Sequence, residues 1–449
     1  MTAAVAPDPG GFEARVDTVV VGAGAAGLVA ALAARERGRA VLVLERDAVP
    51  SGSTALSAGL IPAAGTRAQR AAGIADDPER FAADIQAKAG GENDPALVAL
   101  MARAAGPAVD WLTERHDLPL TLVDGFDYPG HSRRRMHGLP DRAGRTLVDA
   151  LRARAEAAGA DILGDAAVAT LFHDGRRVAG VGLARGDRIG CGRLVLACNG
   201  FGGDRAKVRA HMPEIADALW FGHDGNRGEA LDWGAALGAR TRHLGAYQGH
   251  GNVAHPHGIL VTWATITEGG VQVNREGRRF HDEGRGYSEA ARAVLAQPGG
   301  EAVTVFDARI ETVARQFEDY RRAEAAGAVV AADDPAALAR RLRLPPDAVA
   351  DEIATIPRGG PDRFGRRFPG PPLAPPFRAV RVTGALFHTQ GGLVVDDRAR
   401  VVHRDGGAFP NLHAAGGAAC GVSGRGDGGY LSGNGLLAAV TLGRIAGGG

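Results

Sequence analysis

Gly22, Gly24 and Gly27 stand in the spacing G-x-G-x-x-G, and Glu45 follows eighteen residues after the last of them. Such a set can bind the pyrophosphate and ribose of a dinucleotide. The first glycine permits a tight turn, and the second lets backbone approach the phosphates. The third lets a helix lie close on its strand, and the acid meets a ribose hydroxyl. The elements that must position them are legible on either side. Val19, Val20 and Val21 form a short apolar run of the kind that makes a buried parallel strand. The Ala- and Leu-rich stretch from about Ala25 to Arg37 predicts a helix capped by Gly38. Its N-terminus would turn free N–H groups and a positive dipole end towards phosphate. Val41 to Leu44 predicts a second buried strand, ending at Glu45. Directly after it, SGSTALSAGL supplies hydroxyls at Ser51, Ser53, Thr54 and Ser57, with Gly52 and Gly59 allowing close approach of a flat ligand.

Further along, other polar residues gather near glycines. The stretch DGFDYPGHSRRRMHG places Tyr128, His131, Arg133, Arg134, Arg135 and His137 on one loop, which is either a solvated basic face or a contact for an anion or substrate. RLVLACNGFGG reads as another buried strand running into glycines, bringing backbone to the same cofactor from a second side. His243, His250, His255 and His257 cluster without the spacing of a metal site, so substrate contact or a polar loop is expected and no metal. Tyr287 sits in a glycine-rich connector ahead of a helix beginning near Ser288, and Tyr430 in a glycine-dense loop ahead of a final helix from about Asn434.

Composition bounds the possibilities. At 449 residues the chain has room for two or three domains, and its 45% apolar content is ordinary for a globular protein. A formal net charge of +1 gives no global attraction to nucleic acid or anionic membrane. The apolar runs are too short for a membrane span. The beginning, MTAAVAPDPGGFEAR, lacks the basic and apolar regions of a signal peptide and reads as a flexible leader over 1–11. Three cysteines, Cys191, Cys198 and Cys420, fit a reducing cytoplasm without disulfides, so a cytoplasmic location is expected. Periodicity predicts helices over 78–89, 95–115 and 144–158, the second with Asp94 as N-cap and Pro95 at its first position. Residues 161–198 read as strands, 301–356 as one strand with two or three helices, and the Pro-, Gly- and Arg-rich 357–376 as a linker.

The N-terminal βαβ unit, the Ser/Gly stretch after Glu45, LVLACNGFGG, GGVQVNREGRRFHDE, HTQGG and SGNGLLAAVTLGRIAG occur in this order over nearly the whole chain. That order resembles the flavoprotein superfamily of fumarate reductases, succinate dehydrogenase flavoprotein subunits and 3-ketosteroid Δ1-dehydrogenases. The resemblance implies an α/β fold: a discontinuous, glutathione-reductase-type Rossmann-like FAD-binding domain over 12–244 and 388–449, with an inserted α+β cap domain over 245–387 that closes over substrate. It implies FAD contacts at Gly22, Gly24, Ala26, Gly27, Glu45, Arg46, Ser53, Thr54, Ser57, Gly59, Val168, Ala197, Gly200, Gly417, Ser432, Asn434 and Leu436. Respiratory members attach FAD through a His in the Ser/Gly stretch. Residues 51–60 contain none, so FAD is expected to be held non-covalently. A Glu often follows the final A-x-G in this superfamily, and here that position is Gly417.

The resemblance also ranks activities. Fumarate reductase-like members carry an Arg after the R-F-x-x-E motif to protonate substrate and another in the closing glycine motif to hold a carboxylate. The matching positions here are Tyr287 and Tyr430. Ketosteroid dehydrogenases carry a Tyr base at the first position, a Tyr near the closing loop for the ketone oxygen, and a third in a D-Y segment, which Asp127–Tyr128 resembles. Tyr287, Tyr430, Tyr128 and His388 of HTQGG are therefore the catalytic candidates. Removing hydrogen from carbons α and β to a ketone needs a base for the α-proton, donors for the developing enolate oxygen and a flavin for the β-hydride. Tyr serves as base only if its surroundings lower a pKa of about 10, which Arg279, Arg285 and helix N-termini could do. The expected activity is FAD-dependent oxidoreduction of a CH–CH group next to a carbonyl, by desaturation of a ketone. One alternative is an ene-reductase of unsaturated carboxylates like fumarate or urocanate reductases, with Arg133 and Arg135 as clamps and His250 as a further substrate contact. The other is a flavin-carrying electron-transfer subunit. The expected partners are a small ketone or unsaturated carboxylate and an electron acceptor or donor, with no nucleic acid and no membrane.

Overall fold

A computed structural model describes residues 3–123, 128–357, 359–368 and 370–449. The chain forms two compact units, the first built from 1–212, 222–247 and 388–449, the second from 213–221 and 248–387. The second unit thus also draws in a short segment, 213–221, that the sequence reading places with the flavin domain.

In the first unit, five strands run parallel in the order Ala408–Ala414, Arg188–Leu196, Ala14–Val21, Val41–Leu44, Asp161–Leu163. Val19, Val20 and Val43 are fully buried, as apolar strands covered on both faces must be. The lower half of Arg188–Leu196 pairs instead with an antiparallel ribbon, Val168–Asp174 and Arg177–Leu183. Helix Ala25–Glu36 follows the glycine turn, and ten of its residues are buried. Its partner is the last helix, Asn434–Gly448. A Cβ on Gly443 would come within 2.6 Å of the Ala26 carbonyl oxygen, and one on Gly447 would collide with that of Ala30. Glycine at those turns lets the two helices touch backbone to backbone. Helix Pro95–Arg115 starts as its sequence predicts, with the Asp94 carboxylate accepting from Ala96 N and Leu97 N.

The leader is a strand. Ala4–Pro7 pairs parallel with Val168–Asp174, and Asp8 N donates to the His173 carbonyl. The ribbon would otherwise present an open edge there, and short apolar Ala4-Val5-Ala6 supplies the backbone to cover it.

The second unit is α+β. Its sheet runs Ile259–Leu260, Tyr247–Ala254, Phe377–Thr389, Glu301–Asp307, Val271–Val273, with Leu219–Trp220 and Val329–Ala332 also on the long Phe377–Thr389 strand. Phe306, Tyr320, Val380 and Val382 fill one buried cluster, and Val271, Val305, Leu338 and Ala379 another. Between 301 and 356 there are two strands and four helices rather than one strand and two or three helices, because Asp307, Asp334 and Pro346 start new helices within what reads as continuous pattern.

The 357–376 segment is not a free linker. Arg366 is buried and binds the Glu283 carboxylate at 2.8 Å and the Ile266 carbonyl at 2.7 Å. Asp362 accepts from Arg279 at 2.6 Å. Two guanidinium and two carboxylate groups pin a segment whose composition alone suggests a connector. Among the described residues no helix is long and apolar enough to cross a membrane.

Candidate active site

The glycine turn is shaped by two demands. Gly22 has φ of +102°, and a Cβ there would lie 2.6 Å from the Ala197 carbonyl oxygen. A Cβ on Gly27 would collide with the Gly22 carbonyl. The protein itself therefore requires the first and third glycines. The second differs: a Cβ on Gly24 would have its nearest neighbour, Thr54 Oγ1, at 3.6 Å, an ordinary contact. Among the described residues only Thr54 Oγ1 comes within 4 Å of that position, leaving room where a pyrophosphate would lie on the helix N-terminus. Glu45, 7% exposed at the end of its strand, accepts from Ala23 N at 2.7 Å, so its carboxylate is fixed against the turn. Thr54 Oγ1 accepts from Ala25 N at 3.2 Å, and Ser53 Oγ accepts from Asn199 Nδ2 at 3.0 Å and Asn226 Nδ2 at 2.7 Å. These residues fit an FAD cradle. The buried Thr389 Oγ1 and Asn434 Oδ1 have no hydrogen-bond partner among the described residues.

Some expected cofactor contacts are otherwise engaged. Arg46 binds Glu229 at 2.6 Å and the Gly225 carbonyl at 2.7 Å. Ser57 Oγ donates to the Thr54 carbonyl and accepts from Gly59 N, closing its own turn. Val168 is a buried strand residue, and the Ala197 carbonyl abuts the glycine turn. Gly200 and Gly417 are close-packing positions, where a Cβ would strike Thr389 Oγ1 and Asn199 Oδ1 respectively. The Ser432 carbonyl pairs with His131 Nε2 at 2.9 Å. Ala26 is buried and Leu436 half-buried on their helices.

In the first unit His388 and Tyr430 meet edge to face, ring centroids 5.5 Å apart. Burial pushes the His388 pKa down to about 4, so the ring is neutral at pH 7. Tyr128 packs on Leu60, Val123 and Met136. Burial raises its phenol pKa, Arg142 only partly opposing, so its hydroxyl is a donor and not a base. Asp127, which precedes it, lies outside the described residues. Arg135 is no clamp: its buried guanidinium binds Asp76 at 2.9 Å and Asp84, and lies over the Phe81 ring. The sequence places those carboxylates more than fifty residues away, so the basic loop reads as uncompensated. Arg133 is exposed and donates to the Ala75 and Ser132 carbonyls.

In the second unit Tyr287 is the first residue of helix Tyr287–Leu295, after Gly286 at φ +139°. The positive end of that helix favours a phenolate. Tyr287 stacks on His250, centroids 4.9 Å apart, and His250 stacks in turn on Phe387 at 5.2 Å. Trp263 stands edge-on to both Tyr287 and His250. His250 Nδ1 accepts from Asn252 N at 3.2 Å, leaving the proton on Nε2, and burial holds its pKa at about 3. Arg279 supplies less field than its charge suggests, because Glu283 and Asp362 neutralise it and its neighbour Arg366.

Sequence reasoning overlooked Asn199, Asn226, Gln390 and Ser423. Asn199 has φ of +66°, a left-handed conformation that Asn tolerates, and an N-G pair after a buried strand is its one sequence signal. Gln390 and Ser423 lie inside glycine-rich motifs where only the flanking residues draw notice.

A parallel sheet with this glycine turn and acid defines a dinucleotide-binding protein. Residues 17–436 match the FAD binding domain family, and the chain belongs to it. Its cofactor is FAD, and the family holds FAD-dependent oxidoreductases of CH–CH groups, fumarate reductases among them. The chain is 28% identical to the NADH:fumarate oxidoreductase of Klebsiella pneumoniae (strain 342), over 99% of its own length and 49% of the relative's, so it spans about half of that protein. The open conformation of a flavocytochrome c3 fumarate reductase superposes with a TM-score of 0.81 at 27% identity, covering 98% of this chain and 78% of that one. The 3-ketosteroid-Δ4-(5α)-dehydrogenase of Rhodococcus jostii RHA1 superposes with a TM-score of 0.77 at 24% identity, covering 100% and 99%, a likeness of fold alone.

Proposed function

We propose that the chain desaturates a ketone, removing hydrogen from the carbons α and β to the carbonyl. The observation that carries this reading is Tyr287 at a helix N-terminus, its ring stacked on a neutral histidine. A base is wanted for the α-proton, and a helix N-terminus lowers the cost of a phenolate. In the first unit Tyr128 and Tyr430 are the phenol candidates for donating to a carbonyl oxygen, and the raised pKa of Tyr128 keeps its proton in place for that role. His388 adds a neutral donor. FAD, when bound, supplies a two-electron acceptor for the β-hydrogen and its electron pair. The cradle of Gly22, Gly24, Gly27, Glu45, Ser53 and Thr54 would hold it, without a covalent link because no His lies in 51–60.

The carboxylate ene-reductase reading keeps the support of the fumarate-reducing relative. One experiment separates the two. Anaerobic protein is mixed with saturated cyclic ketones, and the dithionite-reduced protein with fumarate and other unsaturated carboxylates. The ketone reading expects bleaching of the flavin by at least one ketone and no reoxidation by the carboxylates. Reoxidation by a carboxylate with no bleaching by any ketone overturns it.

A further inference from the structure

Four side chains of the first unit form a hydrogen-bonded line from the last helix to His388. Asn434 Nδ2 donates to Ser423 Oγ at 2.9 Å, Ser423 Oγ donates to Gln390 Oε1 at 2.7 Å, and Gln390 Nε2 donates to His388 Nδ1 at 3.0 Å. Asn434, Ser423 and Gln390 are 0%, 1% and 5% exposed, so water does not compete for these groups. A ring nitrogen that accepts a hydrogen bond carries no proton, and a neutral imidazole then carries it on the other nitrogen. A Cβ on Gly435 would come within 3.0 Å of His388 Nε2, so that nitrogen faces the start of the helix on which the line begins.

The geometry points to a relay in which Asn434, Ser423 and Gln390 fix His388 as its Nε2–H tautomer, with Gln390 and Ser423 as positioning residues. A serine hydroxyl has one proton, so the line has a direction, and only one other direction is coherent. Reversed, Ser423 would donate to Asn434 Oδ1, Gln390 Nε2 to Ser423 Oγ, and His388 Nδ1–H to Gln390 Oε1. The Thr389 carbonyl, 3.3 Å from Nδ1, would accept the same proton. Which direction holds is decided at Asn434, because Asn can offer either an N–H or an oxygen to Ser423. Asn434 Oδ1, buried and unpartnered among the described residues, is the open end of the line. A change of hydrogen-bonding character at Asn434 is therefore read out at His388. The low His388 pKa keeps a single proton on the ring throughout the neutral range. On the ketone reading, with which this use of the relay stands, the Nε2–H is a constant neutral donor for a carbonyl oxygen.

The test is a two-bond 15N–1H correlation spectrum of FAD-loaded protein labelled with 15N-histidine at pH 7.5, assigned with His388→Asn. The expected wild-type spectrum has His388 wholly in the Nε2–H form. Asn434→Asp offers Ser423 only acceptors, so it should reverse the line and move the proton to Nδ1. Gln390→Glu should do the same from closer by, and it serves if Asn434→Asp does not fold. Ser423→Ala should break the line and give a mixture of tautomers. An Nδ1–H or mixed wild-type spectrum overturns the relay, as does a tautomer unmoved by both acidic variants. Ketone turnover is measured separately. An Nδ1–H wild type that still oxidises ketones removes the relay and leaves the activity, and an Nε2–H wild type that oxidises none does the reverse.

Discussion

The His250 ring lies nearly parallel to that of Tyr287, 20° from coplanar with centroids 4.9 Å apart, and presses its other neighbours, Phe387 and Trp263, into the same aromatic group. Because His250 is neutral, the stack orients the phenol through ring packing and not through a charge on the imidazole. The start of helix Tyr287–Leu295 adds positive potential where a Tyr287 phenolate would form.

Tyr287→Phe keeps the ring and its stack and deletes only the hydroxyl. Flavin content and melting temperature should stay at wild-type values. Anaerobic reduction of the flavin by a saturated ketone should slow by a factor on the order of 10² to 10⁴, the usual contribution of a positioned base. Ketone binding should change far less, because the hydroxyl acts mainly in the transition state. Stopped-flow traces of both proteins with one ketone check this, and equal rates would show that Tyr287 is not the base.

Two alanine substitutions in the glycine turn should separate folding from cofactor binding. Gly27→Ala drives a methyl into the Gly22 carbonyl, an overpacking that should cost about 1–3 kcal/mol of stability even without FAD. Gly24→Ala meets only Thr54 Oγ1 at 3.6 Å and adopts φ of −76° without strain, so the apoprotein should melt as wild type does. Its methyl would intrude on the space a pyrophosphate would take, and FAD affinity should fall at least about tenfold, or about 1.4 kcal/mol. Melting of the apoproteins and fluorescence titration with FAD give the two readouts.

What the sequence discloses here follows from the range of the forces involved. The βαβ unit was legible because its signals are local: strand, glycine turn, helix and acid fall within thirty residues, and Gly22 and Gly27 are required by backbone collisions nearby. The Asp94 cap is local in the same way. Apart from the extra helix starts within 301–356, the misreadings named here concern partners far away in sequence. Arg135 reads as a free cation because Asp76 and Asp84 precede it by more than fifty residues. The 357–376 segment reads as a linker because Glu283, which binds Arg366, lies 83 residues earlier. Ala4–Pro7 reads as part of a flexible leader because its strand partner lies beyond residue 165. Of the candidate site, the identity of Tyr287 is legible from its motif, whereas its stack on His250 depends on sheet pairing that no local pattern specifies.

Six histidines should make the protein acid-labile well above the pKa of its carboxylates. Burial holds His131, His137, His281 and His388 at about 4, and His250 and His413 at about 3. The unfolded chain takes up protons at these sites as pH falls through about 6.5, and the folded chain does not until pH 4 or below. Their contribution is therefore full above pH 6.5 and declines as pH falls towards 4, by up to about 1.4 kcal/mol per pH unit for each histidine. Urea unfolding at pH 8, 6.5, 5.5 and 5 should show a plateau followed by a steep loss. A stability that stays flat down to pH 5 contradicts the buried neutral assignment. For the same reason the pH profile of ketone-dependent flavin reduction should show no limb near 6.5 from His250 or His388.

Glu283 holds the second unit's pinned segment, and its removal should be felt there first. Its carboxylate accepts from Arg279 Nε at 2.9 Å and Nη2 at 2.6 Å, from Arg366 Nη1 at 2.8 Å and from Gln272 N at 3.0 Å. Burial alone would raise its pKa. The hydrogen bond from Arg279 and the charges of Arg366 and Arg279 outweigh that and bring it down to about 2. Glu283→Gln preserves shape but takes from two buried guanidinium groups the carboxylate they share. Breaking a buried pair in this way costs about 3–5 kcal/mol. Since the folded pKa lies below the unfolded one, the stabilisation is complete above about pH 4.5 and is lost as pH falls towards 2. The difference in unfolding free energy between wild type and Glu283→Gln should accordingly be largest at pH 7 and narrow below pH 4.5. Limited proteolysis gives the structural readout: the variant should be cut within 357–376, where Arg366 and Asp362 lose their anchorage, while wild type resists. Cleavage of both proteins at the same rate would show that the four-residue ion network does not hold the segment.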